Sequence, residues 1–331
     1  MKPRTPWRCL ALACLLLVST TSHAQTKLRA WNIHPDGYPV TEALKRFASL
    51  VAQGTQGRYQ IEIFSNATLG DQPKAVQMLK SGEIDLAEFS SGPLSDAVPG
   101  LKALNLPFLF TDSAHMFKHL DGKLGERFAA KLQAAGFVVL GWYDGGGRSF
   151  YCVNRPLNSF KDLAGARIRV QQSEVYLEMV KLLDATPVAL PFKEVMAALE
   201  KNEVDCAENN MPSFESTGHY KVAKSVYVTN HVISPEALVV STKLWASLSP
   251  ADKAAFSKAG TECRSHHARV VEQASGLCGG DGLQARRAVC AGERPGPHGA
   301  AHVTAVQQVH GRPQYPRRAA HQHRELSTAA R

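Results

Sequence analysis

From Lys27 onward, the apolar positions of this chain switch repeatedly between a period of two and a period near 3.6. Lys27–Ile33 has the pattern of a short strand. Val40, Ala43, Leu44, Phe47, Leu50 and Val51 share one helical face, which predicts a helix over 40–53. Ile61 and Ile63 alternate with polar neighbours in a predicted strand over 59–64. A helix is expected over 72–80, stopped by Gly82, and a strand over 84–89. Further strands are expected over 137–143 and 168–171, and helices over 175–183 and 194–201. Strands that alternate with helices of this length predict an α/β fold with a mainly parallel sheet covered on both faces.

The ends of the chain follow other rules. Lys2, Arg4 and Arg8 precede an apolar run from Cys9 to Val18, and Ser22-His23-Ala24 has a small-x-small pattern. This predicts a secretory leader (residues 1–24) cleaved after Ala24. The run is too short for a bilayer, which needs ~20 apolar residues. It also continues past Cys14, which argues against a lipid-anchored cysteine. At Cys263 the composition changes abruptly. Lys258 is the last lysine and Ile233 the last isoleucine, and seven of the 13 histidines fall after position 265. Residues 263–331 are therefore expected to be an aberrant tail, either a disordered basic segment or, as the abruptness favours, the product of a frameshift. Metal capture by His266-His267, or by His321 and His323, is disfavoured without a preformed site.

Charge changes the picture little. The formal net charge is +9, yet residues 25–262 hold 25 basic and 25 acidic residues. The excess lies in the leader and the tail, so the folded body offers no basic footprint for nucleic acid. Of seven cysteines, only Cys152 and Cys206 lie in the body, 54 positions apart. Export permits a disulfide between them, but the spacing alone favours free thiols, and with no C-x-x-C there is no zinc pattern.

No G-x-S-x-G, H-E-x-x-H, Walker loop or G-x-G-x-x-G is present. Gly145-Gly146-Gly147 suits a close backbone approach instead. Arg148 follows those glycines, and Arg169 lies in the strand pattern Ala166-Arg-Ile-Arg-Val170. Alternation puts Ile168 and Val170 on one face and Arg167, Arg169 and Gln171 on the other. A guanidinium forks onto both oxygens of a carboxylate, so these arginines suit an acid ligand, although solvated surface arginines would show the same spacing. The polar run Asp205-Cys-Ala-Glu-Asn-Asn210 fits either hydroxyl recognition or turn capping.

An ordered series of segments over about residues 27–262 resembles the solute-binding subunit of tripartite ATP-independent periplasmic (TRAP) transporters. The series includes Leu79-Lys-Ser-Gly-Glu-Ile-Asp85, Leu106-Pro-Phe-Leu-Phe110, Gly147-Arg-Ser-Phe150, Asp162-Leu-Ala-Gly165, Ile168-Arg-Val170, Pro187-Val-Ala-Leu-Pro-Phe192 and Asp205–Asn209. The resemblance implies a two-domain clamshell with a ligand cleft between the domains. Residues 25–148 would form domain I and 149–231 domain II, and 232–262 would return to domain I. It implies that Arg169 pairs with the ligand carboxylate, with Arg148 as a second basic position and Asn209 as the cleft asparagine. Ser173, Phe192, Ser90 and His34 fall on other cleft positions, and Gln171 suits hydroxyls. It further implies a periplasmic, monomeric protein that needs no cofactor or metal, is not an enzyme, and delivers a small organic acid to membrane permease subunits. Tyr143-Asp144 and Ala207–Ser216 resemble the sugar-acid branch, so a hexuronate is expected ahead of a C4-dicarboxylate. An exported sugar-acid enzyme is the alternative from another class. Two departures stand out: Cys206 replaces the usual Gly or Ala, and the sequence pattern does not supply the family's final helices after Phe256.

Overall fold

The computed structural model describes residues 25–276 together with 307–308. The predicted leader and most of the predicted tail lie outside the described residues.

The chain opens with β1 (Thr26–Trp31), α1 (Pro39–Gly54), β2 (Tyr59–Phe64), α2 (Gln72–Ser81), β3 (Leu86–Ser90) and α3 (Ser91–Ala97). Then come α4 (Ser113–Leu120), α5 (Lys123–Ala134) and the long β4 (Phe137–Cys152). A second set follows: β5 (Arg167–Val170), α6 (Glu174–Lys181), β6 (Thr186–Ala189), α7 (Val195–Glu200), β7 (Cys206–Asn210) and α8 (Met211–Ser216). The long β8 (Ser225–Ser241), α9 (Thr242–Ser247), α10 (Pro250–Gly276) and the two-residue β9 (Gln307–Gln308) complete it.

Local chemistry sets the helix ends. In α2, the Asp71 side chain accepts a hydrogen bond from the Lys74 N–H, which satisfies a free donor of the first turn. Gly82 closes the same helix in the left-handed conformation, φ 81°, which glycine adopts without steric cost.

The strand order is β2-β1-β3-β8-β4-β7-β5-β6, with β9 beside β8. The pairs β1/β2, β1/β3, β5/β6 and β5/β7 are parallel. β8 runs antiparallel to β3 and β4, and β7 antiparallel to β4. The expected mainly parallel sheet is thus two parallel halves joined by two long antiparallel strands that run through both. The physical reason is length: β4 and β8 span 16 and 17 residues, long enough to serve two lobes in turn.

Each half buries apolar side chains on both sheet faces. In the first lobe, Trp31, Leu79, Phe89 and Phe137 lie in one core, and Leu28, Phe47, Tyr143 and Phe256 in another. In the second, Phe150 joins Ile168 and Tyr176, while the next residue, Tyr151, joins Val195 and Phe214 on the other side. This is the pleat at work: successive side chains point to opposite faces.

Two expectations are corrected here. Cys152 and Cys206 are not free thiols but a disulfide. They stand directly opposite each other on the antiparallel β4 and β7, a proximity that sequence spacing does not reveal. The bond also explains why a cysteine occupies position 206. Replacing both cysteines by alanine should lower the unfolding free energy by about 2–4 kcal/mol, because the bridge closes a long loop in the unfolded chain. Urea titration checks this; an unchanged midpoint would mean that the bridge contributes nothing.

The helical pattern, in turn, does not end at Cys263, and the helix after Phe256 is present. α10 continues to Gly276. Cys263 is fully buried, Arg264 forms a fork with Asp121, and His267 is buried with Nε2 3.1 Å from the Asp144 carbonyl oxygen. His267 is thus packed in place against β4. Residues 264–272 are largely helix-compatible Arg, Ala, Glu and Val, so the change in composition does not break the helix.

Candidate functional site

The sheet halves meet at a narrow cavity. Its walls come from the ends of strands and the loops that follow them, where open α/β sheets hold ligands. The loop after β1 supplies Ile33 and His34, the end of β3 supplies Ser90, and the start of α2 supplies Gln72. The second lobe supplies Arg169 from β5, Gln171 and Gln172 just beyond it, Phe192, and Asn209 and Asn210 from β7. Arg148 and Glu236 enter from the long strands β4 and β8.

Arg169 is 2 % exposed. Its Nε and Nη2 both donate to the Leu190 carbonyl oxygen, at 3.1 and 2.7 Å. Nη1 is buried without a partner. Burial brings the guanidinium down to about 10, so it remains charged at neutral pH. Among the described residues no carboxylate neutralises it by direct contact, and a desolvated cation of this kind is costly until an anion arrives.

Arg148 is different. It forks onto Glu208, Nε to Oε2 at 2.6 Å and Nη2 to Oε1 at 2.7 Å. Nη2 also donates to the Glu208 carbonyl oxygen and Nη1 to Asn209 Oδ1, both at 2.9 Å. Burial alone would lower the Arg148 pKa, but the Glu208 carboxylate raises it. Burial likewise pushes Glu208 up, and the guanidinium overrides it and holds the carboxyl at about 2. Arg148 is therefore neutralised inside the protein, and its Nη1 holds the Asn209 side chain in place.

The first lobe presents acid groups. His34 Nε2 lies 3.3 Å from Glu236 Oε1, and the His34 ring stacks on Tyr38 at 3.8 Å. Behind Glu236 lies Glu88, fully buried, which accepts from Asn32 Nδ2 at 3.1 Å. Burial and then the Glu236 charge push the Glu88 carboxyl well above its usual range. Burial pushes Glu236 up too, but His34 and a hydrogen bond from Glu88 outweigh it and keep Glu236 low. The ligand-capable atoms of His34, Glu88 and Glu236 all lie within 4.8 Å of one another. With a neutral Glu88 donating to an ionised Glu236, the group is held by internal hydrogen bonds rather than by two competing charges.

The glycine run fits around these residues. A Cβ on Gly145 would come within 2.7 Å of the Ser234 carbonyl oxygen and 3.0 Å of Glu236 Cγ. Gly146 has φ 78° and packs on Asn210. The close approach expected there is thus to neighbouring side chains and backbone.

Of the eight residues singled out in the sequence, Arg169, Arg148, Asn209, Gln171, Phe192, Ser90 and His34 come together around the cavity. Ser173 does not: it is buried and faces a separate, shallower depression beside Gln172 and Glu174. Sequence reasoning missed Glu208, Glu236, Glu88, Gln72 and Gln172. Glu208 lay inside the flagged run but had no visible partner. Glu236 sits in a long apolar stretch, Val232–Val240, where a lone carboxylate is itself a signal. Asp205 takes the bland role: its carboxylate holds Arg167, while Asn210 caps α8 through the Ser213 N–H.

The lobes touch across the cavity. Ser90 Oγ donates to Gln171 Oε1 at 3.4 Å, Gln172 Nε2 to Asp71 Oδ2 at 3.1 Å, and Asn210 Nδ2 to Tyr38 Oη at 3.0 Å. Lys102 pairs with Glu174 at the rim. This is a closed cleft.

Two α/β lobes on a shared pair of strands, closing over a cavity with a cation that no carboxylate compensates among the described residues, define a clamshell solute-binding protein. The sequence pattern of bacterial extracellular solute-binding proteins of family 7 (DctP) matches residues 32–277, and the chain belongs to this family, the solute-binding proteins of TRAP transporters. The match runs past Cys263, in keeping with the intact α10. A solute-binding protein of Chromohalobacter salexigens is 38 % identical over 263 residues, covering 79 % of this chain and 78 % of its own. Among solved structures, a TRAP periplasmic solute-binding protein of Roseobacter denitrificans with bound β-D-glucuronate has a TM-score of 0.75 at 37 % identity, over 81 % of this chain and 86 % of that one. One from a Bradyrhizobium species, in complex with D-galacturonate, has a TM-score of 0.74 at 37 % identity, over 81 % and 87 %.

Proposed function

We propose that this protein captures a hexuronate or a related sugar acid in the periplasm and hands it to the membrane permease of its TRAP transporter. The observation that carries this reading is Arg169, a buried guanidinium with Nη1 unpartnered at the cavity wall. It needs an anion, and it needs only one, because Arg148 is already neutralised by Glu208. Around it, Gln72, Gln171, Asn209 and Ser90 can each donate and accept, which suits hydroxyls. The glucuronate and galacturonate held by relatives at 37 % identity support the same ligand class. In this reading the chain matures by cleavage after Ala24, works as a monomer, and returns its ligand unchanged. Residues 25–148 and 149–231 act as the two closing domains, with 232–262 completing the first.

A thermal-shift series tests the ligand class. At a concentration of about 100 times Kd, a true ligand adds about 2.7 kcal/mol to folding, a rise of roughly 5–10 °C for lobes of this size. Glucuronate and galacturonate should give that rise, and succinate or malate should not. The reverse result would move the protein to C4-dicarboxylates. Ligand should also favour the closed cleft, since it binds across both lobes. Solution scattering should then show a smaller radius of gyration with saturating hexuronate. An unchanged radius would rule out clamshell closure.

A further inference from the structure

The cavity has a second wall whose chemistry Arg169 does not explain. In one cluster on it, His34 Nδ1 is buried without a hydrogen-bond partner, and Glu88 Oε1 and Glu236 Oε2 have none but each other. Unsatisfied buried polar atoms are rare and call for an explanation. His34 and Glu236 line the same cavity as Arg169, and they come from the opposite lobe. Glu236 is rigidly held. Its backbone pairs with Ser90 on one side and Tyr143 on the other. Its Oε1 meets His34, and the absent side chain of Gly145 leaves room for its Cγ.

Resting on the sugar-acid reading above, we propose that Glu236, set in place by His34 and Glu88, is the specificity-determining residue of the cleft: it accepts hydroxyl hydrogens of the ligand and excludes a second carboxylate. A carboxylate accepts and does not donate. An ionised Glu236 therefore welcomes O–H donors and repels another anion. Glu88 acts through Glu236. It is a positioning residue, because it hydrogen-bonds Glu236 and so holds that carboxylate in place between His34 and Glu88. Among the described residues the cleft is thus polarised, with the Arg169 cation on the second lobe and the hydroxyl-reading Glu236 anion on the first. Such a cleft fits an acid with a single carboxylate and a polyhydroxylated body. An aldarate, oxidised at both ends, should be rejected.

The test compares a hexuronate, galacturonate, with the corresponding aldarate, galactarate, by titration calorimetry. The wild-type protein should bind galacturonate at least about 30-fold more tightly, the penalty of setting like charges against each other. In Glu236→Gln, galacturonate affinity should fall about 10–100-fold, the range for a hydrogen bond to a charged group. The galacturonate-to-galactarate ratio should shrink by about 10-fold or more, because the repulsion of the diacid is gone. A variant that is merely damaged would weaken both ligands and leave the ratio unchanged. The ring and chain forms of the two acids differ in shape, but that difference is common to both proteins and cancels between them. An unchanged ratio in Glu236→Gln, or equal wild-type affinities, would overturn the inference. So would loss of galacturonate binding in EDTA with recovery on adding a divalent cation, which would make His34, Glu88 and Glu236 a metal site. If neither acid, nor any other sugar acid, binds the wild-type protein, the sugar-acid reading falls first and takes this inference with it.

Discussion

Arg169→Ala should remove most of the affinity for acid ligands, by about 2–5 kcal/mol, the usual cost of truncating one partner of a buried charge pair. That corresponds to roughly 30- to 5000-fold in Kd. The ligand-free protein should tolerate the change far better. It loses side-chain packing but also sheds a buried cation whose pKa burial has lowered, so the two effects oppose each other. Arg169→Lys should recover little. Lysine keeps the charge but lacks the fork, which here grips the Leu190 carbonyl oxygen with two N–H groups and leaves the third nitrogen for the ligand. Calorimetry on the hexuronate that raises the wild-type melting temperature gives the answer. Unchanged affinity in the alanine variant would remove Arg169 as the anchor.

Glu208→Gln should cost the fold itself about 3–5 kcal/mol, the penalty for breaking a buried ion pair and stranding its partner. Arg148 is 2 % exposed and would keep its charge with one carboxylate fewer. The pH profile carries a sharper signature. The Glu208 carboxyl ordinarily titrates near 4.5 and is held at about 2 in the folded protein. A folded value below the unfolded one means that the stabilisation is complete above about 4.5 and drains away as pH falls toward 2. The wild-type protein should therefore lose stability steeply across that window, and Glu208→Gln should show a flatter acid limb. Parallel profiles for the two proteins would show that the pair contributes nothing through ionisation.

Much of this architecture was legible in the sequence where local patterns decide the outcome. The strand Tyr59–Phe64 forms as the alternation predicts, and α1 and α2 differ from their predicted spans by one residue at their ends. What failed depends on partners distant in the chain. β7 reads as a polar turn, Cys-Ala-Glu-Asn-Asn, because its side chains serve a disulfide, a salt bridge and a cleft rather than an apolar core. Cys152 and Cys206 meet only because β4 and β7 pair in that register. The site shows the same division. Arg169 stood out because a charge inside a strand pattern is costly. Glu88 looks like an ordinary acid until the pairing of β3 with β8 sets it beside Glu236, whose own signal was its place in an apolar stretch. Composition misled at Cys263, because a helix needs only tolerable residues and a surface to pack on, and α10 has both.

β8 has a consequence for how the chain is made. It fills the place between β3 and β4 in the first lobe, with Leu86 opposite Val240 and Val138 opposite that same Val240. Yet it is synthesised only after the whole second lobe. As the polypeptide emerges from N- to C-terminus, β1–β3 and the first half of β4 must wait with an empty slot between them, their strand edges unpaired. Neither lobe can be finished first and set aside. Such distant pairings make folding slow and leave apolar strands exposed to aggregation in the interval. Until that last strand arrives, the stretch stays open to water and to other chains.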